Sequence, residues 1–218
     1  MTPFLVVLSS PSGGGKTTIA RRVLARREDV GYSISATTRA PRAGERDGAD
    51  YHFLARDEFE RRRDAGEFAE WAEYNGQLYG TLQAELARIT GAGKHAVLDI
   101  DLEGSRQLRR TVPGSVHVFV LPPSAAQLAA RLRGRNSETP EQVRRRLERA
   151  ATEIAAAREY DYIVVNDDLD AAVRQVEAII DAERHRVHRR GGLAGELDRL
   201  RNDVQAEATG ITTASAGA

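Results

Sequence analysis

Continuous apolar runs alternate with segments of helical spacing along most of the chain. The runs cover residues 4–9, 96–101, 116–121 and 161–166, and helical spacing covers residues 17–27, 83–92, 105–110, 124–133, 139–158 and 169–190. Short runs rich in Val, Ile and Leu are typical of strands that are buried on both faces of a parallel sheet. Strands that alternate with helices in this way predict an α/β fold with a parallel sheet.

Residues 30–81 do not follow this alternation. Tyr32, Ile34 and Ala36 alternate with serines, which predicts a strand, and Asn75-Gly76 is a strong hairpin signal. We further expect a loop over 37–50, strands over 51–54, 68–74 and 77–81, and a helix over 57–65 with Asp57 as its N-cap. This polar region therefore predicts a small β-rich insertion between elements of the parallel sheet.

The character of the chain changes after Arg190. Gly191-Gly192 ends the last long helix, and apolar residues recur at helical spacing between 193 and 204, which predicts a short amphipathic helix. Residues 206–218 are rich in Ala, Thr, Gly and Ser and are predicted to form a disordered tail.

Composition narrows the classes of function. The chain has 218 residues, 32 basic and 32 acidic side chains, and a formal net charge of zero, which argues against nucleic-acid or membrane-surface binding as a general property. The absence of cysteine excludes disulfides, thiolate metal sites and a cysteine nucleophile. We find no signal-peptide or membrane-spanning pattern, and we expect a cytoplasmic protein.

A glycine-rich loop carries the strongest chemical signal. Only Lys16 and Lys94 of the basic residues are lysines, and Lys16 follows three glycines between a strand and a helix. The segment from Ser10 to Thr17 matches the P-loop pattern Gly-x4-Gly-Lys-[Ser/Thr], except that Ser10 replaces the leading glycine. Backbone N–H groups would bind nucleotide phosphates, Lys16 would reach the β- and γ-phosphates, and Thr17 would help to hold Mg²⁺. The alternative is a flexible turn that happens to precede a lysine.

Two acids follow the second apolar run. Asp99 and Asp101 lie at the carboxyl end of a predicted strand, which is the edge where open α/β sheets bind ligands. We expect Asp99 to contact Mg²⁺ through a water molecule. The alternative is a pair of solvated acids at a strand end.

Arginine clusters have two interpretations. Arg39, Arg42 and Tyr51 could converge on a phosphate, or they could belong to a solvated loop, and the residues alone favour neither. A second set flanks a polar break between two helices and could form a lid over a transferring phosphoryl group, although exposed helix arginines are the commoner case. This second set is Arg131, Arg135 and Arg146.

Several strings together resemble guanylate kinases. They occupy residues 33–51, 67–72, 79–81, 99–101 and 165–169, and the first is highly specific. The resemblance runs in order over about residues 4–183 and implies ATP-dependent phosphorylation of GMP, and of dGMP, with Mg²⁺ as cofactor. Glu70 is chemically suited to the guanine, because a carboxylate can accept hydrogen bonds from both N1–H and the 2-amino group.

The resemblance also implies roles for individual residues. The GMP phosphate would be held by Arg39, Arg42, Tyr51 and Tyr79, and the guanine would be read by Ser35, Glu70, Thr81 and Asp101. ATP would bind Ser10, Pro11, Ser12, Gly13, Gly14, Gly15, Lys16, Thr17 and Thr18, with Arg135 and Asn166 near the adenine. The implied catalytic residues are Lys16, Arg39, Arg131, Arg135 and Arg146, and the implied metal contacts are Thr17 and Asp99.

The implied architecture is a three-layer P-loop core with an inserted β-rich GMP-binding subdomain and a helical arginine lid. The kinase-like domain would cover residues 1–185, with the core in 1–33, 82–128 and 150–185, the insertion in 34–81 and the lid in about 129–149. Residues 186–218 would form a C-terminal extension. The substrates would be small molecules, with no nucleic-acid or membrane partner, and the residues do not decide between a monomer and a homo-oligomer.

Two other functions fit the same resemblance. Guanylate-kinase-like domains without catalysis serve as binding modules, and a kinase of the same fold could use another small phosphate acceptor. The P-loop lysine and the lid arginines argue against the first, and the four guanine residues argue against the second. Two positions depart from the family pattern: Ser10 in the loop and Asn136 in the lid, where the family often has glycine.

Overall fold

This computed structural model describes residues 2–74, 76–134 and 139–215, with side chains through residue 208. Contacts divide the chain into a large unit, Pro3–Ile180, and a small unit of Asp181–Ala218 with Met1–Thr2. The predicted turn residue Asn75 and the lid residues Arg135 and Asn136 lie outside the described residues. No helix of the described part is both long and apolar enough to cross a bilayer.

A five-stranded parallel sheet forms the centre of the large unit. Its strands are β1 (Leu5–Ser9), β2 (Val30–Tyr32), β7 (His95–Asp99), β8 (Val116–Leu121) and β9 (Tyr162–Val165), in the order β2-β7-β1-β8-β9. The helices of the chain are α1 (Lys16–Arg26), α2 (Arg56–Asp64), α3 (Gln83–Gly91), α4 (Leu102–Thr111), α5 (Ala125–Arg133), α6 (Pro140–Ala155), α7 (Leu169–Arg184) and α8 (Leu193–Ser215). The predicted α/β class with a parallel sheet is confirmed.

The two faces of this sheet bury separate apolar clusters. Val6 and Leu8 of β1 pack with side chains of α1 and α7, whereas Leu5 and Val7 pack with side chains of α3 and α4. Because successive side chains of a strand point to opposite faces, a continuous apolar run is what a strand covered on both faces requires.

A second, four-stranded sheet forms the insertion. Its strands are β3 (Ala36–Thr37), β4 (His52–Phe53), β5 (Phe68–Tyr74) and β6 (Gln77–Leu82), in the order β4-β3-β6-β5. The single strand expected over residues 32–36 is divided between the two sheets. Ser33 N donates to Val97 O of β7 (2.9 Å), in the parallel sheet, whereas Ser35 O accepts from His52 N of β4 (2.9 Å), in the insertion. The predicted β-rich insertion is confirmed.

Strand β5 contains an extra residue relative to its partner. Phe68 pairs with Leu82 and Glu70 pairs with Thr81, so Ala69 is a β-bulge. Phe68, Ala69 and Glu70 are all buried, which breaks the alternation expected for a strand. Phe68 packs in the core of the insertion and Ala69 packs in the core beneath the parallel sheet. The bulge therefore lets one strand serve two cores.

Helix ends differ from the expectations in a few places. Asp57 lies in the first turn of α2 and does not cap it, because Ala55 occupies the N-cap position. Helix α6 starts with a capping box between Thr139 and Gln142 and ends at Ala155, where a 3₁₀ turn over Ala156–Glu159 follows. The long helix α7 ends at Arg184, short of the expected Arg190.

The small unit contains the end of α7, a 3₁₀ turn at Val187–Arg189, and α8. Helix α8 extends to Ser215, through residues for which the sequence predicts a disordered tail. Alanine has the highest intrinsic helix propensity, and the several alanines of this segment favour continuation of the helix. The predicted boundary between residues 185 and 186 stays a prediction.

Candidate active site

A cavity of about 730 Å³ opens at the carboxyl ends of β1 and β7. Its walls come from the glycine-rich loop, the insertion, the end of β7 and α6. The lining residues include Ser10, Ser12, Lys16, Ser35, Arg42, Tyr51, Glu70, Tyr74, Tyr79, Asp99, Asp101, Arg146, Arg149 and Glu153. The structure thus brings residues predicted for a donor nucleotide and residues predicted for an acceptor nucleotide to one cavity.

The glycine-rich loop turns directly into α1. Gly14 N donates to Pro11 O (2.8 Å), Gly15 occupies the N-cap position with a left-handed φ of 95°, and Lys16 is the first helical residue. Ser10 stands at the leading-glycine position of the pattern. Its side chain has room because position 14 is a glycine: a Cβ atom on Gly14 would lie 2.6 Å from Ser10 Cβ. Thr17 and Thr18 are exposed on the first turn.

Asp99 at the end of β7 is held by two hydroxyl groups. Thr17 Oγ1 donates to one carboxylate oxygen, and Tyr32 OH donates to the other. Burial raises the pKa of Tyr32, and the adjacent Asp99 raises it further, so Tyr32 stays a neutral donor. The hydroxyl oxygen of Thr17 and the carboxylate of Asp99 lie together beside the loop.

This donor set fits a magnesium ion that is shared with a substrate. Mg²⁺ prefers oxygen ligands, keeps several waters, and is often bound by one or two carboxylates together with substrate phosphates. Among the described residues, no group of three or more His, Cys, Asp or Glu side chains could hold a metal ion by itself. Thr17 and Asp99 are therefore suited to a metal that phosphates bring with them.

Glu70 is a buried carboxylate in the wall of the cavity. It is 5% exposed, and Thr81 Oγ1 on the paired strand β6 donates to Oε1 (2.6 Å). Burial raises the pKa of Glu70 to about 7, the hydrogen bond from Thr81 opposes the shift, and the negative charge of Asp101 adds to it. Thr81 is fully buried, and its hydroxyl contacts the Glu70 carboxylate in the cavity wall.

Asp101 and Ser35 lie near Glu70 on different elements. Asp101 is the N-cap of α4, and its Oδ1 accepts from Gly104 N (2.9 Å). Ser35 lies in the chain segment that crosses from the parallel sheet to the insertion, and it lines the cavity. The predicted set of base-reading residues is therefore assembled from the crossing segment, the β5–β6 hairpin and the N-terminus of α4.

The residues predicted for the acceptor phosphate belong to the insertion. Arg42, Tyr51 and Tyr79 line the cavity, with the rings of Tyr51 and Tyr79 in edge contact at 6.2 Å. Arg39 Cζ lies 5.3 Å from the centre of the Tyr51 ring, but its guanidinium is bonded to Glu45 Oε1 (2.9 Å) and Ala40 O (2.7 Å). Arg39 therefore lies beside the Tyr51 ring, with its guanidinium paired to Glu45.

Of the three arginines predicted for the lid, one contacts the glycine-rich loop and another contacts the segment after β9. Arg146 Nη2 on α6 donates to Ser12 Oγ (2.5 Å), and Arg131 Nη2 on α5 donates to Asn166 O (3.0 Å). The third, Arg135, lies outside the described residues, as does the departure at Asn136. Helix α6 therefore brings a positive charge to the glycine-rich loop, which suits a site for anionic phosphates.

Comparisons with known proteins agree with this geometry. The family model described as guanylate kinase matches residues 3–183. A guanylate kinase from Anaeromyxobacter dehalogenans is 50% identical over 184 residues, which are 84% of this chain and 81% of the relative. One from Geobacter sulfurreducens is 47% identical over 185 residues, which are 85% and 91% of the two chains. The chain belongs to the guanylate kinase family.

A solved guanylate kinase shares the fold as well. The crystal structure of guanylate kinase from Anaplasma phagocytophilum superposes with a TM-score of 0.76 at 33% identity and covers 91% of this chain and 95% of that one. The family membership and the fold predicted from the sequence strings are thus confirmed. The roles of single residues stay predictions.

One wall of this guanylate kinase site is formed by Arg149 and Glu153 of α6, which the sequence did not predict. Arg149 Cζ lies 4.3 Å from the centre of the Tyr74 ring, and Arg149 Nε donates to Glu153 Oε1 (3.0 Å). Glu153 Oε2 in turn accepts from Ser12 N of the glycine-rich loop (3.2 Å). Helix α6 therefore links the insertion to the loop. A Glu and an Arg four residues apart on a helix are common on solvated surfaces, so no sequence signal singled them out.

Proposed function

We propose that this chain transfers the γ-phosphoryl group of ATP to GMP, and to dGMP, forming GDP or dGDP and ADP. The observation that carries the proposal is that Lys16 of the glycine-rich loop and the buried carboxylate of Glu70 line the same cavity. A lysine-bearing loop binds the phosphates of a donor nucleotide. A buried carboxylate selects an acceptor base that can donate hydrogen bonds.

Glu70 supports guanine over adenine for a specific reason. Guanine presents N1–H and a 2-amino group on one edge, and a carboxylate can accept from both. Adenine has no donor at either position, so AMP would leave the desolvated Glu70 carboxylate with Thr81 but without a donor from the base, a cost of about 1–3 kcal/mol or more for a charged group. Thr81, Asp101 and Ser35 would complete the recognition of the base.

The acceptor phosphate would lie between the arginines and tyrosines of the insertion. Arg42, Tyr51 and Tyr79 face the cavity, and Arg39 would exchange Glu45 for the phosphate when GMP binds. Bidentate arginine contacts would fix the position of the attacking oxygen. A GMP phosphate is already anionic, so the reaction needs no general base.

On the donor side, the loop from Ser10 to Thr18 would hold the phosphates of ATP. An oxygen of the GMP phosphate attacks the γ-phosphorus in line, and the bond from that phosphorus to the β,γ-bridging oxygen breaks, which releases ADP. Lys16, Arg131, Arg135 and Arg146 would stabilise the charge that spreads over the transferred group. The lid and the insertion would exclude water that otherwise hydrolyses ATP.

Thr17 and Asp99 would hold Mg²⁺, with Asp99 acting through a water molecule. When bound, the ion would neutralise part of the negative charge of the donor phosphates. We also propose that the enzyme acts in the cytoplasm, which a chain without cysteine fits. Its functional parts would be the core, the insertion over 34–81 and the lid over about 129–149.

The test is an ADP-release assay with ATP as donor and GMP, dGMP, AMP, UMP or CMP as acceptor. Turnover is expected with GMP and dGMP only. Lys16→Ala should abolish most turnover and leave GMP binding measurable, whereas the matched variant Lys94→Ala, at an exposed position, should behave as the wild type. Comparable turnover with AMP would contradict the guanine assignment, and GMP binding without turnover would identify a binding module.

A further inference from the structure

Asn166 is the point where three parts of the donor side meet. It follows β9, it is buried, and its backbone N donates to Leu121 O at the end of β8 (2.8 Å). Its backbone carbonyl accepts from Arg131 Nη2 of α5 (3.0 Å). Its side-chain Nδ2 donates to Gly14 O in the glycine-rich loop (2.8 Å). The side-chain amide thus contacts the loop itself.

The loop is shaped around this amide. A Cβ atom built on Gly15 would lie 2.4 Å from Asn166 Nδ2, so the glycine is required by the close approach as well as by its left-handed φ of 95°. Any larger residue at 15 would displace the amide from the Gly14 carbonyl. The hydrogen bond and the absence of a side chain at 15 therefore form one packed arrangement.

The hydrogen bond also determines where an N–H group points. The carbonyl of Gly14 and the N–H of Gly15 share one planar, trans peptide unit, and so they point in opposite directions. When Asn166 holds the carbonyl on one side, the Gly15 N–H is directed to the opposite side. Loops of this type bind phosphate with such N–H groups at the start of the following helix.

We infer that Asn166 is a positioning residue for the donor phosphates, acting through the Gly14–Gly15 peptide. This inference rests on the proposed function only in that donor phosphates bind the glycine-rich loop. It differs from the role that the family resemblance implies, which is a contact near the adenine. If Asn166 acts at the phosphates, its substitution weakens the binding of every phosphate donor by the same factor. If it acts at the base, its substitution weakens the binding of adenine nucleotides only.

The experiment measures the dissociation constants of ATP and of inorganic tripolyphosphate, which has no base, by titration calorimetry. The variants are Asn166→Asp, which keeps the shape and loses the donor, and Asn166→Ala. Each is expected to weaken both ligands by the same factor, roughly 5- to 100-fold, because Gly14 O loses its buried donor. Asn202→Asp, at an exposed position of α8, is the matched control and should change neither constant.

A pH series measures an effect on tripolyphosphate affinity that a purely structural role of Asn166 would not produce. Protonation of the carboxyl group in Asn166→Asp restores an O–H donor, so the ratio of variant to wild-type affinity for tripolyphosphate should recover as pH is lowered. Kinetics with ATP and CTP as donors at saturating GMP give a parallel test. The KM of both donors should rise together in Asn166→Asp, with the KM of GMP within about twofold of wild type.

Weaker ATP binding with unchanged tripolyphosphate binding would overturn the inference and assign Asn166 to the adenine. Unchanged binding of both ligands would overturn it as well. A failure of the proposed GMP kinase activity would not affect the calorimetric result, because tripolyphosphate carries neither a base nor an acceptor phosphate.

Discussion

Gly104 and Glu70 are packed so closely that any side chain at position 104 would displace the Glu70 carboxylate. A Cβ atom built on Gly104 would lie 2.4 Å from Glu70 Oε2 and 3.0 Å from its Cδ. Gly104 is in the first turn of α4, and its N–H is bonded to Asp101 Oδ1 (2.9 Å). One glycine thus contacts both carboxylates that are proposed to read the guanine, and the position of α4 sets the position of the Glu70 side chain.

Gly104→Ala should therefore impair GMP recognition more than it impairs folding. The added methyl group meets the far end of a flexible side chain, so Glu70 can turn away at small cost to the fold. We expect the KM for GMP to rise roughly 10- to 100-fold, which corresponds to the loss of about 1.4–2.8 kcal/mol of binding. The KM for ATP should change little, and thermal denaturation should give a melting temperature close to that of the wild type.

Gly91→Ala is the matched control for this prediction. Gly91 is the last residue of α3, and a Cβ atom there meets nothing within 4 Å. That variant should keep both KM values. A Gly104→Ala enzyme with an unchanged KM for GMP would show that Glu70 does not need its present position.

The protonation of Glu70 should make GMP binding depend on pH. Its pKa is raised to about 7 by burial, so the free site is partly protonated at neutral pH, whereas guanine needs the ionised carboxylate to accept two hydrogen bonds. Binding then expels a proton, and affinity for GMP should fall by up to about tenfold per pH unit below 7. The measurement is the KM for GMP between pH 5.5 and 8.5.

Glu70→Gln is the control for that pH series, because GMP has a titrating phosphate of its own. The variant should bind GMP weakly, with reduced preference over AMP, and should lack the part of the pH dependence that belongs to Glu70. Identical pH profiles for the two enzymes would remove Glu70 from the base site.

Arg146 should contribute to kcat more than to the binding of either substrate. Its guanidinium donates to Ser12 Oγ at 2.5 Å, and it lines the cavity next to the proposed phosphates. Arg146→Ala is expected to lower kcat roughly 10²- to 10³-fold with a smaller change in either KM, because the charge it meets develops in the transition state. Arg144→Ala is the comparison, since Arg144 is bonded to Glu141 and Glu148 on the surface of the same helix. Equal kcat values for the two variants would contradict this role.

A buried histidine should make the fold sensitive to acid. His117 in β8 is fully buried between the hydroxyls of Ser105 (2.7 Å) and Ser115 (2.8 Å). Burial lowers the pKa of His117 from 6.5 to about 4, and the charge of Arg109 contributes. The unfolded chain therefore binds a proton that the folded chain excludes, so stability should decline as pH falls from about 6.5 to 4.

Urea denaturation at a series of pH values tests this point. His117→Gln should flatten the dependence of the unfolding free energy on pH in that window, even if the variant is less stable throughout. His188→Gln, at an exposed position, should keep the wild-type slope. A wild-type slope in His117→Gln would assign the acid sensitivity to other groups.

Local patterns predicted most of the fold and the donor side of the site. The apolar runs locate the parallel strands because each strand is buried on both faces, and Lys16 and Asp99 follow strands whose carboxyl ends meet at one edge. These features depend on a few neighbouring residues. The family strings then supplied the acceptor residues, which no periodicity distinguishes from ordinary polar positions.

The remaining features depend on contacts between distant segments. The Arg149 contact with Tyr74 and the Asn166 contact with Gly14 join segments that are far apart in the sequence, so no local pattern predicts them. The Arg39 contact with Glu45 lies within one irregular loop, where no periodicity marks it either. The length of α8 was missed for a different reason, since composition predicts disorder while alanine content favours a helix.

The bulge at Ala69 separates the register of the proposed base site from the packing of the insertion against the core. Glu70 stands opposite Thr81, and β5 has one residue more than β6 between their paired positions. Loss of Ala69 would place Glu70 directly after Phe68 and still opposite Thr81, and would remove only the side chain that packs beneath the parallel sheet. A one-residue deletion at the bulge should thus spare the register of the proposed base site and loosen the attachment of the insertion to the core.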